Sequence, residues 1–153
     1  MPGCVSVGEH DLVKAAFESI GGTLDFWKVA IKPGKPFVFG RRGEKFLFGL
    51  PGNPVSAFVT FLLLVRPALL KMQGAVDLAM PAHPAVLAEP VRNSGDRQHF
   101  ARVCVDASGQ VRSAGLQASH ALSSLAQANG LLSVPPGTAW PAGQTVQVLR
   151  WES

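Results

Sequence analysis

Residues 49–67, GLPGNPVSAFVTFLLLVRP, constrain the fold more tightly than any other stretch of the chain. Asn53 is a favoured N-cap, because its side chain accepts a hydrogen bond from a first-turn N–H, and Pro54 is a favoured first helical residue, having no N–H to leave unpaired. A helix is therefore expected to begin at Pro54 and run toward Met72, with Pro67 kinking it or ending it early. The run Val55–Val65 is almost wholly apolar and stops at Arg66 and Pro67, short of the roughly 20 residues that span a bilayer. It reads as a buried helix. With 153 residues, 47% of them hydrophobic and 16% charged, the chain has enough apolar mass to bury it in one medium domain or two small ones. No membrane segment and no secretory leader is read, so a cytoplasmic location is the default.

The elements around this helix follow from periodicity. From Asp11 to Ile20 apolar residues recur at three- and four-residue intervals, which predicts an amphipathic helix that Gly21-Gly22 ends. Leu24–Ile31, with Trp27, Val29 and Ile31 alternating, predicts a strand that breaks at Lys32-Pro33-Gly34. The runs PFVFG and KFLFGL, joined by Arg41-Arg42-Gly43-Glu44, predict a hairpin of strands buried on both faces. This order is that of a partial α/β layer. Residues 75–84, rich in Ala, Met and Pro, read as a linker between residues 1–74 and residues 85–153. Short strand-like runs at 85–91, 100–105, 111–116, 131–134 and 145–151 predict a small β-barrel or sandwich, with one short helix at 119–129 capped by Ser119. The fold class expected is thus α/β: a partial three-layer domain followed by a small barrel-like β domain.

Charge and cysteine content leave several functions without support. The formal charge of +4 includes no basic arm, so nucleic-acid binding has no support. Cys4 and Cys104 lack CxxC spacing, and His10, His83 and His99 have no metal-ligand spacing and read as surface residues. No P-loop or Rossmann glycine pattern occurs, which disfavours a general nucleotide-binding module.

Three groups remain that suit an anionic ligand. The helix beginning at Pro51-Gly52-Asn53-Pro54 directs backbone N–H groups and the positive end of its dipole outward, although Asn-Pro is also ordinary capping. Lys28 and Lys32, four apart, share a face if the strand continues through them, and Lys35 follows a Pro-Gly bend; solvated lysines on an edge strand are the plainer alternative. Glu9 and Asp11 either complement a helix dipole or hold Mg²⁺ alongside substrate phosphates.

Taken in order, CVSVGEHD, WKVAIKPGKP and GLPGNPVSAFVTF resemble the molybdopterin molybdotransferase family, the group of MoeA and the C-terminal domain of gephyrin. A proline-rich junction, an F-x-R strand and an x-S-H-x-x-S-S segment extend the resemblance over essentially the whole chain. It implies a cytoplasmic, Mg²⁺-dependent enzyme of molybdenum cofactor biosynthesis, which inserts molybdate into adenylylated molybdopterin and releases AMP. It implies catalytic roles for Asp11, Lys28 and Lys32, with Asp11 and Glu9 at the metal. Substrate contacts are implied for Gly3, Ser6, Gly8, Glu9, Lys35, Pro51, Gly52, Asn53, Pro54, Ser56, Arg102 and Ser119. The partners implied are a small pterin, a second copy in a dimer and the molybdopterin adenylyltransferase. Cys4 stands where the family has glycine, and the family's upstream strand and domains have no counterpart, so the chain is expected to be the C-terminal portion of such an enzyme. The alternative is a non-catalytic pterin-binding or scaffolding half-domain that acts through oligomerisation.

Overall fold

The structure, a computed structural model, describes residues 10–118 and 121–151, without the side chains of His10, Asp11 and Trp27. Helix α1 (His10–Ser19) ends in a Schellman turn, in which Gly21 takes φ +82° and the N–H groups of Gly21 and Gly22 reach the carbonyls of Glu18 and Phe17, both at 2.9 Å. Strands β1 (Thr23–Lys28), β3 (Pro36–Arg42) and β4 (Lys45–Gly49) form an antiparallel sheet in the order β1-β3-β4. The hairpin forms where its runs predict it, but its setting differs. Phe46 on β4 is 48% exposed and Phe26 on β1 is 45% exposed, so the sheet is covered on one face only. A continuous apolar run does not distinguish a strand buried on both faces from one whose outer aromatics stack on each other, as Phe39 does with Phe46 at 6.0 Å.

The strand expected over 24–31 is also interrupted. The β1 strand stops at Lys28, the Val29 N–H turns to the carbonyl of Lys35 (3.1 Å), and Ile31–Lys32 form a separate short strand, β2. Lys28 and Lys32 therefore lie on different strands in different sheets.

The PGNP helix begins at Pro54. Asn53 occupies the N-cap with φ −76° and ψ 124°, and its Oδ1 accepts from the Val55 N–H at 3.2 Å. Pro67 does not end the helix. Helix α2 (Pro54–Thr60) passes through a π-helical turn (Phe61–Val65) into α3 (Arg66–Met72). Proline lacks the N–H that would continue an α-helical ladder and its ring clashes with the carbonyl four residues back. The wider turn just before it, with Arg66 N–H bonded to Phe61, absorbs that defect. The 19-residue unit is long and apolar enough to cross a membrane by length and composition alone. Here it packs on protein: Val59 and Leu62 meet Leu131, and the rings of Phe58 and Trp151 cross edge to face with centroids 5.4 Å apart.

The remaining strands are β5 (Ala82–Leu87), β6 (Val91–Asn93), β7 (Gln98–Val105), β8 (Gln110–Ser113), β9 (Gly130–Val134), β10 (Thr138–Trp140) and β11 (Thr145–Arg150). The order β7-β8-β5-β11-β9, with β9 pairing back to β7, closes a five-stranded barrel. Its interior holds Ala85, Leu87, Ala101, Val103, Val111, Leu132, Val134, Val146 and Val148. Helix α4 (Leu122–Gln127) is shorter than expected and its cap position is Ala121, not Ser119.

Candidate active site

The lysine-bearing turn sits between the PGNP helix and the barrel. Strand β2 adds in parallel to β7, pairing Ile31 with Gln98 and Lys32 with His99. Since β8 pairs only with Val103–Val105, it leaves the first residues of β7 an open edge, which β2 fills. The next residues, Pro33 and Gly34, are buried, and Gly34 takes φ +116°. A Cβ there would collide with Cγ2 of Thr60 on α2. Glycine is required at this position both by conformation and by close approach. Thr60 is itself fully buried, and its hydroxyl donates to the carbonyl of Ser56 at 2.8 Å. The turn carrying Lys32 and Lys35 is thus pressed onto the helix that PGNP begins.

All three lysines, Lys28, Lys32 and Lys35, are exposed, and among the described residues none is ion-paired with a carboxylate. The cations are therefore available to an anion. The helix end has less spare capacity than its sequence suggests: Pro54 has no N–H, that of Val55 goes to Asn53, and that of Ala57 goes to the Asn53 carbonyl at 2.8 Å. The Ser56 N–H is the first-turn donor these bonds leave over. Pro51 is buried, while Gly52 and Asn53 are half-buried.

Arg102 occupies a different place. Its side chain is 0% exposed, and its guanidinium donates from Nε to Ser124 Oγ (2.8 Å) and from Nη2 to the carbonyls of Leu116 (2.9 Å) and Ala118 (3.1 Å). Nη1 has no partner among the described residues. Burial lowers the pKa of the guanidinium below its ordinary value. Held this way, Arg102 braces the segment that leads to residue 119 and does not present a charge to solvent.

His99, expected at the surface, is 9% exposed, and its Nε2 has no partner among the described residues. Burial, helped by the nearby charges of Lys32 and Arg102, pulls its pKa down to about 4, which keeps a neutral ring beside the lysine strand. His83 is exposed, as its sequence context predicts. Sequence reasoning also missed Arg97, whose Nη1 donates to the carbonyl of Ile31 at 3.1 Å. No local signal marks it, since its partner is 66 residues away. Cavities of 170–330 Å³ lie at the barrel mouth and in the helix–barrel seam and are lined by no lysine.

Gly3, Ser6, Gly8, Glu9 and Ser119 lie outside the described residues, as does the side chain of Asp11, whose backbone is in the first turn of α1. Among the described residues no group of three or more His, Cys, Asp or Glu side chains is placed to hold a metal ion.

Known proteins match this chain in sequence and fold. Residues 1–71 match the family model of a probable molybdopterin binding domain, and residues 84–151 match that of the MoeA C-terminal region (domain IV). A molybdopterin molybdenumtransferase of Haemophilus influenzae is 44% identical over 83% of this chain and 32% of its own. Molybdopterin molybdenumtransferase 2 of Mycobacterium tuberculosis is 40% identical over 98% of this chain and 38% of its own. Among solved structures, the molybdopterin biosynthesis MoeA protein of Pyrococcus horikosii superposes with a TM-score of 0.79 at 30% identity, covering 94% of this chain and 35% of that one. The chain thus spans about a third of the length of these curated relatives. With both of its halves matched in order and the fold shared, the chain belongs to the molybdopterin molybdenumtransferase family.

Proposed function

We propose that this chain serves molybdenum cofactor biosynthesis as part of a cytoplasmic transferase that inserts molybdate into adenylylated molybdopterin and releases AMP. The observation that carries this reading is the basic turn Lys32–Lys35, seated on α2 through Gly34 and Thr60 and unpaired with acid among the described residues. Molybdate and a phosphoanhydride are both anionic. Lys28, Lys32 and Lys35 compensate their charge as they are brought together, and an oriented cation is worth most where charge develops. The Pro51–Pro54 loop and the Ser56 N–H bound the anionic end of the pterin. Arg102 supports the 116–118 segment, and Ser119 serves as a substrate contact. Gly3, Ser6 and Gly8 complete the pterin loop. Mg²⁺, with Asp11 and Glu9 as its protein ligands, supplies charge neutralisation when bound. Among the described residues no group of side chains forms a cage for it. Residues 1–74 form the pterin-binding part and residues 85–153 the barrel part, joined by 75–84, in a homodimer supplied with substrate by the adenylyltransferase.

A second reading, a non-catalytic pterin-binding or scaffolding half-domain that acts through oligomerisation, is favoured by the apolar side chains left in water on one half, Leu12, Phe26 and Phe46. Substituting Lys32→Ala in the full-length protein separates the two. Loss of molybdate-dependent AMP release supports the transferase, whereas turnover equal to the parent's removes Lys32 from the chemistry. Pterin binding measured by calorimetry with no turnover in the parent protein supports the half-domain.

A further inference from the structure

We infer that Arg97 is a positioning residue for Lys32, and that the barrel, through the 93–98 turn, sets where that lysine stands. This rests on the reading of Lys32 as the cation that meets the anionic substrate.

The path can be followed atom by atom from the barrel wall. Asn93 on β6 is buried, and its Nδ2 donates to the carbonyls of Val134 (2.9 Å) and Pro135 (3.1 Å) on one side and of Arg97 (2.8 Å) on the other. Its Oδ1 accepts from the Gly95 N–H at 3.1 Å. One amide side chain therefore fixes the backbone of the turn at both ends. From that fixed backbone the Arg97 guanidinium reaches the Ile31 carbonyl, and the next N–H, of Gln98, reaches the Ala30 carbonyl at 3.1 Å. The Gln98 side chain is in turn tied to Ser133 Oγ on β9 at 2.7 Å. The peptides before Lys32 are thus held from two directions by the barrel, while Gly34 is held from the other side by Thr60.

The only carboxylate near Arg97 among the described residues is that of Asp96, 3.8 Å away and almost fully exposed. An ion pair of that kind contributes little. The well-placed bond of Arg97 is the one to the lysine strand. What this bond fixes is the junction between the halves. Misplacing a catalytic group by about 1 Å can cost on the order of a hundredfold in rate, so the bond is worth more to turnover than to stability.

The test uses the full-length protein with Arg97→Ala, Arg97→Lys, Lys32→Ala, Lys32→Arg and the Arg97→Ala/Lys32→Arg pair, each assayed for AMP release and thermal unfolding. Arg97→Ala is expected to lower kcat about ten- to a hundredfold, with KM for the adenylylated pterin within about twofold and Arg97→Lys recovering part of the loss. In the Lys32→Arg background, the further loss from Arg97→Ala should be much smaller than in the parent, because the group it places is already altered. Unchanged kcat in Arg97→Ala, alongside an inactive Lys32→Ala, overturns the positioning role and leaves the reading of Lys32 intact. Losses that multiply fully, or a rise in KM with kcat kept, overturn it in favour of a direct substrate contact. Full activity in Lys32→Ala overturns the underlying reading and this inference with it. If Arg97→Ala fails to fold, Arg97→Met, which keeps the aliphatic stem and removes the donor to Ile31, decides: parent-like kcat and KM overturn the role.

Discussion

The barrel and the segment that carries the lysines are built on different principles. The barrel closes on itself, β7 to β9, and keeps nine apolar side chains inside. Residues 10–74 form a three-stranded sheet with α1, the short strand β2 and the PGNP helix, and they leave Leu12 (71%), Phe26 and Phe46 exposed, while Val59 and Leu62 are buried against Leu131 of the barrel. A closed barrel has no free edges except where one strand outruns its neighbour. Here that overhang, at Gln98–His99, is the edge β2 occupies. The more stable half therefore supplies the frame, and the less self-sufficient half supplies the charged turn held in it.

Adjacent residues on β9 break this comparison most directly. Leu132 points into the barrel and Leu131 into the seam with Val59 and Leu62, and both are at most 1% exposed. Either Leu→Ala substitution should cost about 2–5 kcal/mol. Their signatures should differ: Leu132→Ala lowers the whole unfolding transition, while Leu131→Ala loosens α2 first, visible as faster amide exchange in residues 54–72 before the barrel strands exchange. Identical exchange patterns for the two variants would show that the halves unfold as one unit.

His99 probes the same junction through pH. Its pKa when folded is about 4, below its ordinary 6.5, with burial as the main cause. The unfolded chain therefore binds this proton first, and stability from this group rises with pH between about 4 and 6.5 and is flat on either side. The full span is at most about 3 kcal/mol. Denaturant unfolding at pH 4.5 and 7.5 checks it: His99→Gln should flatten the difference. An unchanged pH slope in that variant would assign the effect to other groups.

What was legible in the sequence and what was not divides along chain separation. The start of α2 could be read because Asn53 and Pro54 act within one turn, and the end of α1 because Gly21 and Gly22 do. The barrel strands could be read from alternation between turn residues. The parallel β2–β7 pair joins residues 67 apart at Ile31 and Gln98, and no local pattern announces that a strand will leave its sheet. Pro67 reads as a kink or an early end because the rule considers an α-helix only; a π-turn one step earlier relieves the clash. Arg102 and His99 look like surface groups in any short window, and their burial is decided by the far strands that close over them. For the candidate site, the lysines and the helix start were visible as residue types. The contact that docks their turn, Gly34 against Thr60, and the bond from Arg97 were not.

That docking contact yields the next prediction. Gly34→Ala places a Cβ against Thr60 and forces a non-glycine residue to φ +116°. The cost should be about 2 kcal/mol. Thr60→Ser in the same chain removes the colliding methyl and keeps the hydroxyl that donates to Ser56, so it should recover the steric part and leave the backbone part. Thermal unfolding of the single and double variants measures the split. Complete recovery would show that the turn tolerates the strained φ, and no recovery that the conformation alone makes glycine necessary.

The smallest effect expected is at the helix start, where it tests whether capping or packing fixes α2. Asn53 satisfies Val55 through its side chain, and Pro54 needs no partner. Asn53→Ala should cost about 1 kcal/mol, and Asn53→Asp should retain most of it, because aspartate caps about as well as asparagine. The loss should show as a lower melting temperature with the barrel strands unaffected in exchange. If Asn53→Ala costs only a few tenths of a kcal/mol, then Val55, Val59 and the seam hold the helix in place without its cap. The residues of Pro51–Pro54 would then be freed from a structural duty, and any loss of pterin binding on changing Asn53 would report on the ligand directly.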